Sequence, residues 1–362
     1  MAMNKYIKTI LASVFALLAL GSCVREQPLI PRAGVERFPE TRGVMEVEVL
    51  EKFGEEETDR IETIRFIVFK DPDVYPRLEL NRLFVKEDFN EEQSPGGQEI
   101  SKLSIILKLS MRIGEPNPKM VAAIVNESPA MTPLLEQVAI PADLAALKLQ
   151  FSDFFTADHS ALAGGLPMPM TDVVWTDQIY ETELEAENNR VQMTLERAVA
   201  KVVVCLKKSD EPGTENLKLG NGTKITLINT YDSEYFIRHY DSSAHQFGYI
   251  QTVPVSELVE RAWSLSSVSQ EIDAATPVCS FYTPERNCVG CEMQLMFDVV
   301  TDEGALRPYT LLLNTAHDDQ SQKQPIKAIQ RNNIYKVTAT IGINGIEAVV
   351  ENWNSEEITS EL

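Results

Sequence analysis

Short-range alternation of apolar and polar residues runs through most of the chain, and it limits what such a sequence can build. The segments VMEVEVL (44–50), IETIRFIVF (61–69), LSIILKLSM (103–111), MVAAIVN (120–126), VQMTLER (191–197) and AKVVVCLK (200–207) are of strand length and mostly rich in β-branched residues. So are TKITLINT (223–230), MQLMFDVV (293–300), YTLLLNT (309–315) and NIYKVTATI (333–341). Period-two alternation gives each strand one face for a core and one for water. Turn-forming stretches such as SPGGQ, GEPNP and LGNGT separate the segments, and many short strands with frequent turns make an all-β sandwich pattern. Only residues 132–155 and PVSELVERAW (254–263) read as helical, and no solenoid-type repeat is present.

The N-terminal stretch answers a different question. Lys5 and Lys8 precede an apolar run from Ile10 to Leu20, broken only by Ser13. A bilayer span needs roughly 20 apolar residues, so this run is too short to cross; it has the length of an export signal. Leu20-Gly21-Ser22-Cys23 then reads as a lipobox, with residues 1–22 removed and a diacylglycerol placed on the thiol of Cys23. Two acyl chains hold a protein stably on a membrane where one is marginal, so Cys23 is expected to be a permanent anchor of an envelope lipoprotein.

The remaining chain is long enough for two domains. Residues 23–42, with three prolines and no strand pattern, read as a tether. The acidic stretch ETELEAENN (181–189) lacks apolar periodicity and suggests a boundary between domains at 43–188 and 189–342. Gly342, Asn344 and Gly345 then break the chain before a last extended segment within 343–362.

Charge excludes one large class of partner. Lys and Arg number 33 against 54 Asp and Glu, a net of −21. Nucleic-acid affinity comes mostly from cationic side chains releasing counterions, so nucleic acid is not expected as a partner. Contact with an acidic membrane then rests on the lipid alone.

Little else in the sequence carries chemistry. CVGC (288–291) is the only CxxC; with Cys279 it supplies three thiols and no nearby histidine, short of a zinc set. Structural thiols or a local disulfide fit better, and no metal or cofactor is assigned. His159, His239, His245 and His317 have no metal-ligand spacing and read as surface or turn residues. Met168 and Met170 are spaced as on one strand face, which favours core packing. The acidic loop EKFGEEETD (51–59) lacks the spacing of a calcium loop. No nucleophile elbow, HExxH, P-loop or dinucleotide fingerprint occurs, so nothing argues for an enzyme.

Several segments together resemble the fimbrillin family of Bacteroidales, the lipoprotein-derived subunits of type V pili. They are VAAIVNES (121–128), GLPMPMTD (165–172), LERAVAKVVV (195–204), FYTPERN (281–287) and above all IQRNNIYKVTATIG (329–342), in the same order from lipobox to C-terminus. The resemblance implies two tandem transthyretin-like β-sandwiches, export to the outer membrane and cell surface, and assembly with other fimbrial subunits by strand exchange. It implies no catalysis. In polymerising members an arginine-specific protease cuts after the first strand and opens a groove that a neighbour's C-terminal strand fills. Arg42 and Arg60 are the candidate cleavage positions here, and Ile346, Val350 and Trp353 the candidate donor-strand residues. This chain departs from the pattern: the loop after its first strand is only GEEETDR, with Arg60 abutting the next strand. Arg32, Arg37 and Arg42 are read as preceding the first strand, where a cut would shed the lipid without opening a groove.

Three readings follow. An uncleaved, lipid-anchored anchoring or accessory subunit comes first, with its C-terminal segment as donor strand; a self-inserted final strand would instead suit a tip subunit. A stalk pilin cleaved at Arg60 or Arg42 is the second. A surface lipoprotein binding glycan or protein is the third, although only Trp175 and Trp263 are available for it besides Trp353, and both read as core or interface residues.

Overall fold

The computed structural model describes residues 40–50, 59–72, 75–92, 102–237, 239–241, 246–249, 255–265, 270–273, 276–287, 291–313, 315–316, 324–325, 328–343 and 345–354. All of them belong to one unit, Glu40–Leu362. Its principal strands in the N-terminal half are β1 (Glu40–Leu50), β2 (Thr63–Lys70), β3 (Arg77–Val85), β4 (Lys102–Arg112), β5 (Lys119–Val125), β6 (Met170–Thr176) and β7 (Val191–Thr194). There follow β8 (Ala200–Lys208), β9 (Lys224–Thr230), β10 (Val259–Ser264), β11 (Pro277–Thr283), β12 (Gln294–Asp298), β13 (Tyr309–Leu312), β14 (Asn333–Ile341) and β15 (Ile346–Asn354). Among the described residues, three helices of five or six residues are α1 (Thr132–Glu136), α2 (Pro141–Ala146) and α3 (Glu183–Asn188). The architecture is all-β with a few short helices.

Two hydrophobic cores form. Around the first, one sheet runs in the order residues 90–92, β4, β1, β7, and a second in the order residues 196–197, β6, β5, β2, β3. Alternation decides what points inward: Met45, Val47 and Val49 of β1 and Leu103, Ile105, Leu107, Leu109 and Met111 of β4 are all buried. Strands β2 and β5 are buried on both faces, since Met131, Leu135, Leu144, Phe151 and Phe154 from the segment that follows β5 join the same core. Around the second core the order is β11, β8, β14, β15, then residues 315–316 and 324–325, facing β10, β9, β12, β13. Val202, Val204, Leu206, Phe281, Tyr335, Val337, Leu227, Leu295 and Phe297 fill it. Buried hydrophobic residues up to Val199, Ala186 apart, belong to the first core, and those from Ala200 mostly to the second; Phe236, Ile237 and Tyr282 return to the first.

The helical expectations were only partly met. Residues 132–155 make α1 and α2, with Pro141 at the start of α2, then a short strand at Lys148–Gln150 paired with Ser233–Tyr235 and a turn at Phe151–Asp153. PVSELVERAW is not a helix: a single 3₁₀ turn at Val255–Glu257 leads into β10, which pairs with β9 from Ser264 to Val259. β10 is the edge strand of its sheet and none of its residues is fully buried, so its alternation is weak in sequence. The same reason accounts for β3, an exposed edge strand that the alternation does not reveal. The acidic stretch 181–189 forms α3, whose N-cap Thr182 accepts the Glu185 N–H through Oγ1 at 3.2 Å.

Candidate functional site

If the chain is processed or assembled through its strands, the relevant geometry lies at β1, at the loop end carrying Arg60, and at β15. β1 is an interior strand. Every residue from Glu40 to Leu50 lies opposite a β4 residue in an antiparallel ladder, and Val47–Leu50 run parallel to Val191–Thr194 of β7. Gly43 is required by close packing, since a Cβ there would sit 2.7 Å from Ile179 and 2.8 Å from the Cβ of Met111. The polar face of β1 is covered too: Glu46 and Glu48 are buried, and Arg190 reaches them at 3.0 and 3.3 Å. The ladder begins at Glu40, which also holds Lys70 Nζ at 2.9 Å. Arg42 therefore does not precede the first strand as expected; it lies within it, exposed, opposite Ser110.

The two sides of the Arg60–Ile61 bond are fixed. Asp59 is buried and receives Arg197 Nε–H at 2.9 Å, with Arg197 Nη2 on its other oxygen. Ile61 is buried in the first core. The Arg60 guanidinium faces solvent but is engaged, donating to Glu62 Oε1 and to the Gly165 carbonyl, each at 2.8 Å. The Arg60 carbonyl accepts from Asn126 Nδ2 at 2.9 Å. Asn126, buried with φ at +58°, also donates to the Met168 carbonyl at 2.8 Å and accepts the Glu62 N–H at 2.9 Å. A left-handed φ is uncommon outside glycine but tolerated by asparagine, whose amide here closes three segments on one another. The residues before Asp59 back to 51 lie outside the described residues.

β15 lies in the same chain's sheet. It pairs antiparallel with β14 from Ile346 opposite Ile341 to Asn354 opposite Asn333, and Gly342 N–H closes the hairpin on the Gly345 carbonyl at 2.9 Å. Ile346 and Val350 are buried in the second core and Ala348 packs against it, while Val349 on the other face is 37 % exposed. Of the expected donor residues, Trp353 lies opposite Ile334 in the ladder. To enter a neighbour, this segment has first to leave its own sheet.

The structure places the remaining sequence candidates as follows. Cys23, Arg32, Arg37, Cys288, His245 and His317 lie outside the described residues. Cys205 and Cys279 are buried and Cys291 is half-buried; burial, foremost, pushes the Cys279 thiol well up. Met168 and Met170 are in the first core, and Trp175 and Trp263 pack half-buried against the first and second cores. His239 lies in the short strand His239–Asp241. His159 is not a surface residue: it is buried beside Phe151, their rings 4.6 Å apart. Among the described residues no group of three His, Cys, Asp or Glu is placed to hold a metal ion, and no helix is long and apolar enough to cross a membrane.

Sequence reasoning missed what the IQRNNIY motif does. Arg331 is buried between the cores, donating from Nη1 to the Phe236 carbonyl at 2.9 Å and from Nη2 to the Tyr235 carbonyl at 2.8 Å, with Glu285 and Glu234 beside it. Burial, the largest influence, raises the Glu234 carboxyl to about 8. Asn332, at φ +64°, donates its N–H to the Val199 carbonyl at 2.9 Å. The arginine and the first asparagine are thus a junction in the turn before β14, and its partners at Phe236, Tyr235 and Val199 are too distant in sequence for a local pattern to show.

No protein-family model matches the chain, and a sequence search of curated proteins returns no match. Solved structures do share the fold. Similar structures include the tip fimbrial protein Mfa3 from Porphyromonas gingivalis with C-terminal truncation, at 14 % identity and TM-score 0.54, covering 87 % of this chain and all of that one. A fimbrial assembly protein from Parabacteroides distasonis is similar at 14 % identity and TM-score 0.53, over 88 % of this chain and 98 % of that one. At that identity the likeness establishes the all-β sandwich fold.

Proposed function

We propose that this chain is a structural subunit of a surface fimbria of the fimbrillin type, lipid-anchored through Cys23 and left uncleaved after its first strand. The observation that carries the reading is the Arg60–Ile61 bond, flanked by the buried Asp59–Arg197 pair, the Asn126 amide and the buried Ile61. A protease needs an extended, accessible segment across the bond it cuts, and local unfolding here means breaking a buried ion pair. With β1 retained, Cys23 stays connected to the folded body, which suits an anchoring or other accessory subunit better than a polymerising stalk pilin. The fold shared with a tip fimbrial protein and a fimbrial assembly protein supports the fimbrial role.

The final strand favours a closed subunit. Ile346 and Val350 complete the second core from within the chain, so position at an end of the fibre, with β15 as a closing strand, fits the geometry. The alternative, in which β15 is withdrawn and inserted into a neighbour, has to offset the loss of both side chains from the core, roughly 1.5–3 kcal/mol each.

The test is to isolate fimbriae and the outer membrane and determine the N-terminus of this chain in each. A chain beginning at lipid-modified Cys23, with membrane association and fatty-acid labelling lost in Cys23→Ala, supports the proposal. A chain in the fibre beginning at Ile61 would establish a processed pilin, and equal labelling of the mutant would remove the lipid anchor.

A further inference from the structure

His159 occupies an unusual position at the contact between the two cores. It lies in the loop after the Phe151–Asp153 turn with φ at +60°, is 3 % exposed, and its backbone carbonyl accepts the Tyr282 N–H of β11 at 2.8 Å. Next to it the Ser160 carbonyl accepts Ser280 Oγ–H at 3.1 Å, so this loop is fastened to the outer edge of β11. The imidazole Nε2 faces two groups at the same distance: Arg261 Nε–H of β10 at 3.2 Å and Asp232 Oδ1 at 3.2 Å. Arg261 Nη2 also pairs with that carboxylate. Nδ1 is buried without a hydrogen-bond partner among the described residues.

One ring nitrogen cannot serve a donor and an acceptor at once. In the neutral ring with the proton on Nδ1, Nε2 accepts from Arg261; in the imidazolium, Nε2–H is a donor, Asp232 is its partner, and Arg261 Nε–H loses its acceptor. We propose that His159 is a proton-operated latch between the cores, closed when neutral through Arg261 and released when protonation makes Nε2 a donor to Asp232 and sets the imidazolium against the Arg261 guanidinium. The charged groups around it are few. Asp158 on the same loop is held by Thr156 Oγ1–H at 2.6 Å and by Ser160 Oγ–H at 2.8 Å, β10 brings Arg261, the turn after β9 brings Asp232, and Lys201 of β8 lies over the Tyr282 ring. Desolvation, then Arg261, hold the ring's pKa down to about 4 from 6.5, outweighing Asp232 and Asp158. A folded value below the unfolded one means that the closed contact is fully stabilised above 6.5 and loses that stabilisation as pH falls through about 4.

Hydrogen exchange of the peptide carrying Ser280 and Tyr282, expressed as protection so that intrinsic rates cancel, reads the latch. Between pH 7.5 and 4 its opening should rise on the order of 100-fold in the intact protein. His159→Gln keeps an acceptor for Arg261 and takes no proton in this range, so its protection should stay flat. Equal protection of the wild type at both pH values, or the same rise in His159→Gln, overturns the proposal. Should the variant not fold, the imidazole C2 proton of wild-type His159 decides. A midpoint near 4 that coincides with loss of Tyr282 protection supports the latch, and a midpoint near 6.5 without it refutes it.

Discussion

Val350→Ala separates a closing strand from a donor strand, because Val350 is fully buried while Val349 beside it is 37 % exposed on the opposite face. Removing two carbons from a buried side chain forfeits about 1.6 kcal/mol of transfer free energy, and the space left behind adds about 1 kcal/mol if the surroundings relax only in part. The expected cost is therefore about 2–3 kcal/mol for Val350→Ala and within about 0.5 kcal/mol for Val349→Ala. Urea unfolding of the purified monomer reads both, and with slopes of about 1–3 kcal/mol/M the Val350 variant should lose on the order of 1 M in midpoint. Partners do not enter the measurement. If β15 leaves the monomer's fold to join a neighbour, neither substitution moves the midpoint, and Val350→Ala instead reduces incorporation into fimbriae. Equal midpoints for wild type and Val350→Ala would thus refute the closing-strand account.

Two further outcomes are expected. Arg197→Ala strands the Asp59 carboxylate in the interior and should cost about 3–5 kcal/mol by urea unfolding, while speeding arginine-specific cleavage at Arg60; the double change Asp59→Asn with Arg197→Met should recover most of the stability. Burial raises the Asp172 carboxyl from 3.8 to about 6, so the folded protein holds a proton there that the unfolded chain has released. Stability from this group is full below the unfolded value and lost as pH rises through about 6, an effect of up to about 3 kcal/mol; Asp172→Asn should flatten that part of the profile when unfolding is followed at pH 4.5, 6 and 7.5.

Much of the scaffold was legible because one side of most strands meets a core. In β1, β4, β14 and β15 the apolar set fell mainly on alternate residues, while β8 carried a continuous apolar run from Val202 to Leu206, and these are strands whose inward faces fill the sandwiches. Edge strands escaped the pattern: β3 and β10 are half-exposed along most of their length, so nothing forces alternation on them, and β10 was read as a helix. The site was less legible. The short acidic loop showed Arg60 abutting the next strand, but what holds the residues around it, Asn126 from 66 residues away and Arg197 on Asp59, depends on contacts no local pattern records. His159 was expected at the surface or in a turn; it lies in a turn, and its burial escaped the sequence for the same reason, since β10 and β11 contact it from far along the chain.

The central claim, a fimbrial subunit that keeps its first strand, is tested most directly by treating the purified full-length protein with an arginine-specific protease and sequencing the new N-termini over time. Arg42 is held in the β1–β4 ladder and Arg60 is fixed between two buried neighbours. The account predicts early cuts at Arg32 or Arg37, release of the lipid-bearing N-terminus, and a folded body that stays intact and monomeric. Rapid cleavage at Arg60, followed by loss of residues 43–50 from the body and polymerisation, would contradict it.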